Sequence, residues 1–149
     1  MHQLAQELRS DIDAALRDLR ALTDADAAAD RGAGKWTCKE ILGHLIDSAV
    51  NNHQRFLRAP VADPFVWPGY EQNAWVAAQR YRDRPWAELL ELWAAVNRHV
   101  AYAIASVPAS SLQTRCTIGD GEPVTLEWLM HDYLRHLRHH LAQILDSRT

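Results

Sequence analysis

Four long stretches of the chain repeat apolar residues at three- or four-residue intervals, the period of a helix with one buried face. In the first, Leu4, Leu8, Ile12, Ala15, Leu19 and Leu22 recur, with Arg9, Asp13, Arg17 and Arg20 between them. Residues 23–34 dissolve into Asp, Ala and Gly and read as a link. The second helix opens at Thr37-Cys38-Lys39-Glu40, a capping box in which hydroxyl and carboxylate each satisfy a backbone donor, and is expected to reach Arg58 before Pro60. Pro60, Pro64 and Pro68 make the next stretch a loop closed by Gly69-Tyr70, with a short helical piece expected over Glu71 to Gln79.

The third long helix is expected to start near Pro85, a residue tolerated in a first turn because its missing donor would be unpaired anyway. Trp86, Leu89, Trp93, Val96, Val100, Ala103 and Val107 form its inward stripe, and Pro108 ends it. Residues 112–124 break the period. Arg115-Cys116-Thr117-Ile118 and Pro123-Val124-Thr125 flank Gly119-Asp120-Gly121-Glu122, as a small hairpin or a turn would. The last helix starts near Thr125 and carries Leu126, Leu129, Met130, Tyr133, Leu137, Leu141, Ile144 and Leu145 on one face up to the C-terminus. The pattern predicts an all-α fold. It is a single domain over residues 1–149, a four-helix bundle with a long crossover between helices 2 and 3 and a small hairpin or turn before the last helix.

Composition narrows the function. With 149 residues, 48% of them hydrophobic, the chain is long enough for a core that needs no metal or crosslink to hold it. Sixteen basic residues face 19 acidic ones, the wrong balance for phosphate binding, so no nucleic-acid partner is expected. Cys38 and Cys116 form no C-x-x-C pair and suit a reducing cytosol. The first residues, Met1 to Glu7, carry no basic patch followed by an apolar run. The most apolar stretch, Val100 to Val107, is far below the ~20 residues a bilayer requires, so a cytoplasmic protein with no membrane partner is expected.

The counts that stand out are eight His and six Trp. His131, His136, His139 and His140 all fall on the last helix. His136 and His140 lie about 40° apart around the axis and ~6 Å along it, a spacing that lets two imidazoles converge on one ion. His139 points away from both. On spacing alone, half-buried boundary residues explain the pair as well as a metal site does. His44 sits in Ile41-Leu42-Gly43-His44-Leu45-Ile46, with Gly43 leaving room beside it. A lone His on such a face is more often a hydrogen-bonded core residue than a ligand. Bundles nevertheless build cofactor sites from inward side chains on facing helices, so His44 facing the pair would complete a three-His set with open positions.

Gly34-Lys35-Trp36-Thr37-Cys38-Lys39-Glu40-Ile41-Leu42-Gly43-His44-Leu45-Ile46-Asp47-Ser48 resembles the second-helix signature of the DinB/YfiT-like superfamily. Trp67-Pro68-Gly69-Tyr70-Glu71-Gln72-Asn73-Ala74-Trp75 is similar to its crossover loop. Val124-Thr125-Leu126-Glu127-Trp128, followed by His136-Leu137-Arg138-His139-His140-Leu141-Ala142-Gln143-Ile144, resembles its closing helix. The resemblance implies a bundle in which three histidines bind one divalent metal ion per chain, commonly nickel or zinc, with iron also compatible. By motif position these are His44, His136 and His140. It further implies a homodimer and a small-molecule substrate, with a low-molecular-weight thiol as cosubstrate in some members. The activities implied are thiol-dependent S-transfer or isomerisation and metal-dependent hydrolysis. Cys38 departs from the aliphatic residue expected there and touches no ligand position. A non-catalytic metal-binding bundle, whether sensor, carrier or dimeric interaction module, is the alternative.

Three neutral imidazoles would leave an ion its full double charge and a free position, enough to lower the pKa of bound water to about 7 or to hold a thiol as thiolate. Asp47, Asp132 and Gln143 each lie three or four residues from a proposed ligand and are candidates to orient a ring nitrogen, although a solvated helix side chain is the favoured account of each. Trp67, Tyr70, Glu71 and Trp75 are candidates for a substrate pocket, Glu71 also as a general base; loop anchoring explains them equally well. Gly32-Ala33-Gly34-Lys35 lacks the rest of a phosphate loop, and His53 and His99 carry no spacing signal. Cys38, in a first turn where amide dipoles favour a thiolate, reads rather as a small buried apolar filler, and Arg135 and Arg138 suit an anionic substrate or a solvated face equally well.

Overall fold

The apolar stripes form helices in the computed structural model, which describes residues 1–146. Helix α1 spans His2–Leu19, α3 Cys38–Arg58, α5 Trp86–Ser106 and α6 Leu126–Leu145; the shorter α2 covers Asp24–Ala28 and α4 Gln72–Gln79. The expected last helix extended over residues 147–149, which lie outside the described residues. Thr37 opens α3 as read: its hydroxyl accepts the Glu40 amide at 3.2 Å while the Glu40 carboxylate accepts the Thr37 amide at 2.8 Å. α1 and α3 each pack against both α5 and α6, so α1 faces α3 across one diagonal of the bundle and α5 faces α6 across the other. The expected crossover joins α3 to α5, and residues 107–125 form a second long connection, from α5 to α6. Leu8, Ile12, Leu42, Leu45, Phe56, Trp93, Ile104, Met130 and Leu137 fill the centre and are fully buried.

Two elements depart from the expectation. The presumed link after α1 contains α2, opened by a second capping box in which Thr23 accepts the Asp26 amide and Asp26 accepts the Thr23 amide. Asp24, in its first turn, accepts from the buried Lys39 ammonium at 2.9 Å and from the Trp86 amide at 2.7 Å, tying α2 to α3 and α5. Those two donors hold its carboxyl below the usual carboxylate range.

The second departure is a strand in the proline-rich crossover. Strand β1, Phe65–Trp67, lies parallel to β2, Arg115–Ile118, with Phe65 opposite Cys116. The expected hairpin forms where β2 turns back on β3, Val124–Thr125, and the order is β1-β2-β3. The turn begins at Gly119, whose φ of +58° suits a residue without Cβ and whose amide donates to the Trp67 carbonyl at 2.8 Å. The sheet thereby clamps the Trp67–Tyr70 segment between the two long connections.

Gly43 does leave space, but Tyr81 fills it. A Cβ at Gly43 would overlap the Tyr81 ring, which is buried and held by its hydroxyl donating to Asp47 at 2.7 Å. The expectation that this room serves His44 is therefore corrected: it serves the docking of the crossover onto α3. Gly43→Ala should destabilise the protein by about 1–3 kcal/mol, the overpacking penalty outweighing the ~1 kcal/mol that Ala gains over Gly in a helix. A lowered urea midpoint with unchanged m-value would report it.

Candidate metal centre

The α3–α6 contact brings together three rings whose positions follow from helical spacing. His44 projects from α3 and is fully buried, whereas His136 and His140, one turn apart on α6, are half-buried. Nε2 of His44 lies 3.1 Å from Nε2 of His136, and the three rings have centroids 4.5–5.0 Å apart. One ligand atom from each lies within 4.8 Å of the others. Two imidazoles bound to one ion at about 2.0–2.1 Å, and separated by 90–109° at it, have nitrogens roughly 2.9–3.4 Å apart. The observed 3.1 Å fits that range.

Electrostatics keeps the rings neutral, the state in which their lone pairs can bind a cation. Burial, reinforced by the neighbouring imidazoles, depresses His44 to about 3 and His136 to about 4, and burial lowers His140 as well. Nδ1 of His44 is buried with no hydrogen-bond partner among the described residues, and the Trp36 ring centroid lies 5.0 Å from that of His44. His140 is oriented by Gln143, whose Oε1 lies 3.0 Å from Nδ1. The same amide meets Nε2 of His139 at 3.0 Å. With its nitrogen committed to His139, the Gln143 amide presents its oxygen to His140. The proton is then held at Nδ1 and the Nε2 lone pair faces the trio.

The other expected residues separate. Asp47 does not orient His44. It accepts from Tyr81 and from Gln79 at 2.9 Å, is buried, and burial raises its pKa above the usual carboxylate value. It became a docking point because Tyr81 occupies the notch at Gly43. Asp132 pairs with Arg135 at 2.7 Å and lines a cavity of about 280 Å³ together with His136, Tyr70, Ser48 and Asn52. Tyr70 is half-buried, and burial followed by the Asp47 charge pushes its hydroxyl up to about 12, so it is a donor at neutral pH. Trp75 packs on Tyr70 at 4.8 Å from outside and is 39% exposed. Trp67 stacks on Phe65 under Arg58 and Glu71 is exposed, so neither lines that cavity. A second cavity, of about 490 Å³, reaches His140 from the side of Trp36, Lys35 and Asn73.

Arg55, absent from the sequence expectations, lines the first cavity. The signal was available: it lies eleven residues after His44, about 20° from it around the α3 axis.

This fold and cluster belong to a recognisable class. The model of the DinB superfamily matches residues 6–144, and the chain belongs to that superfamily. Among curated proteins, a "Putative metal-dependent hydrolase" of Halalkalibacterium halodurans is 28% identical over 112 residues, which make up 75% of this chain and 65% of that protein. Another protein of the same name, from Geobacillus thermodenitrificans, is 26% identical over 156 residues, covering 97% of this chain and 88% of the relative. The chain thus spans just under two-thirds of the first relative and most of the second. Among solved structures, YfiT from Bacillus subtilis, described as "a probable metal-dependent hydrolase with an unusual four-helix bundle topology", superposes with a TM-score of 0.80. The match is at 21% identity and covers 97% of this chain and 82% of YfiT. A mycothiol-dependent maleylpyruvate isomerase gives 0.76 at 14% identity, over 96% of this chain and 58% of the isomerase. These structural likenesses establish the four-helix bundle fold. Among the described residues no helix is long and apolar enough to cross a membrane.

Because the three rings are held neutral, the metal-free protein should lose stability in acid. The unfolded chain takes up protons near pH 6.5 and the folded one only near 3–4 at His44 and His136, so stability is full above about 6.5 and falls below it. For chelator-treated protein the loss between pH 7 and pH 5 should be of order 3–4 kcal/mol greater than in the His44→Gln/His136→Gln double variant, about 2 kcal/mol from each histidine. Urea midpoints at the two pH values measure it.

Proposed function

We propose that the protein is a divalent-metal-dependent enzyme whose ligands are His44, His136 and His140, and that it activates a thiol or a water for attack on a small-molecule electrophile. The observation that carries this reading is the convergence of three neutral imidazoles from two helices on one point reached by two cavities. A purely structural ion would be closed off by a fourth protein ligand, whereas a catalytic one keeps a position open. Among the described residues the cluster contains these three groups and no fourth.

When bound, the ion supplies Lewis-acid activation of a nucleophile in its free position. The chain's own residues do the rest. His44 is rigidly placed by the core around it, and Gln143 fixes the tautomer of His140. The Tyr70 hydroxyl, at the wall of the smaller cavity, can donate a hydrogen bond to developing negative charge on the electrophile. Access from both the His136 and the His140 side supports a two-substrate transfer, with the nucleophile and the electrophile entering separately. Hydrolysis uses the same residues with water in place of the thiol. The reading includes a cytoplasmic setting, in keeping with two buried cysteines that form no disulfide among the described residues.

Equilibrium dialysis followed by plasma mass spectrometry should find about one zinc or nickel ion per chain in the parent. In His136→Ala the stoichiometric ion should be lost while far-UV circular dichroism stays unchanged. Gln143→Ala should weaken binding by roughly 10–100-fold without abolishing it, the usual effect of removing a group that orients a ligand. Full metal retention in His136→Ala would refute the ligand assignment.

A further inference from the structure

Arg55 is the most unusual charge in the molecule. It lies in the last turn of α3, where a basic residue normally reaches solvent, yet it is 8% exposed. Among the described residues its buried Nε has no acceptor, and its guanidinium makes one long bond, Nη1 to Asn52 Oδ1 at 3.3 Å. Among the described residues none of the ion pairs includes it. A buried cation without an anion is costly to keep, so a chain that retains one holds it ready for an anion that comes from elsewhere.

Its position supplies the context. His44, Ser48 and Arg55 lie on one stripe of α3, and His136 and Asp132 lie one turn apart on the facing α6; Ser48, Arg55, Asp132 and His136 line the same cavity. Arg55 sits about 16 Å beyond His44 along the axis. Helical side chains lean towards the N-terminus, here towards His44, which leaves roughly 10 Å between the guanidinium and the histidine trio.

We propose that Arg55 binds the carboxylate of a small organic monoanion, whose other end lies at the histidine trio. The Nε–Nη2 edge of a guanidinium offers two parallel donors that match a carboxylate, and the Ser48 hydroxyl and Asn52 amide line the same cavity. Charge favours a monoanion over a phosphate dianion, because Arg55 is the single cationic side chain among the described residues of the cavity lining, and its one other charged group, Asp132, is an anion already paired with Arg135. The role of the far end rests on the trio being the reactive centre; the anion site itself stands on Arg55.

The test uses the Arg Nε–H resonances of 15N-labelled protein, titrated with butyrate, butyramide and inorganic phosphate. One Nε–H signal, missing in Arg55→Gln, should shift saturably with butyrate and not with butyramide. Tyr70 and Ser48 signals should report at least tenfold weaker butyrate binding in that variant. The parent treated with a chelator should still bind butyrate saturably through the same Nε–H signal, so that a failed metal assignment leaves this result standing. Arg55→Gln and Arg55→Met should melt no lower than the parent, since a purely structural arginine would be missed on removal. No saturable shift, equal binding of butyramide, preference for phosphate, or a melting point several degrees lower in both variants would each overturn the proposal. If neither variant folds, the titration of the parent decides.

Discussion

Three imidazoles at one helix–helix contact can neither be charged together nor be satisfied by one another. Inside the bundle, protonating His44 or His136 would place a cation in apolar surroundings beside a second imidazole, and both stay neutral far below the ordinary histidine range. Once neutral, each ring has one donor and one lone pair, and His44 and His136 meet nitrogen to nitrogen. A single proton between them satisfies at most one arrangement, whereas a cation uses both lone pairs. The packing around them preserves this condition: Trp36 covers His44, Gln143 fixes His140, and the core residues of α3 prevent His44 from turning away to water.

That contact also explains the two long connections. The cavity between α3 and α6 is walled mainly by those two helices, and the crossovers complete it. Tyr81 enters the notch at Gly43 and is held by Asp47, while the sheet formed by β1, β2 and β3 fixes Trp67 against Gly119 and so places Gly69 and Tyr70 in the cavity wall with Ile118 and Leu129. The polar lining thus mixes rigid helix positions with one clamped loop, an arrangement that fixes geometry and still admits a small molecule.

The long helices were legible because each carries a clear 3.6-residue stripe, and the histidine convergence was legible because an i, i+4 pair on α6 faces a His in an apolar run on α3. Helix α2 was missed although its cap was written in Thr23-Asp24-Ala25-Asp26; the Ala- and Asp-rich composition hid the signal. Strand β1 could not be read, because three residues among prolines pair in parallel with a segment some fifty positions away. Asp47 illustrates the limit of spacing arguments: it lies three residues from His44, yet Tyr81, thirty-four residues on, decides what it binds. Arg55 looked like an ordinary cation of a helix's last turn, and only the tertiary fold reveals that it is buried.

The account rests on an ion held at one point between α3 and α6. Anomalous diffraction at the zinc or nickel edge, from crystals of the protein as purified or after soaking in that metal, tests this directly. The predicted result is a single strong peak per chain about 2.0–2.2 Å from one nitrogen each of His44, His136 and His140. A peak elsewhere, or none at the trio after soaking at neutral pH, would contradict it.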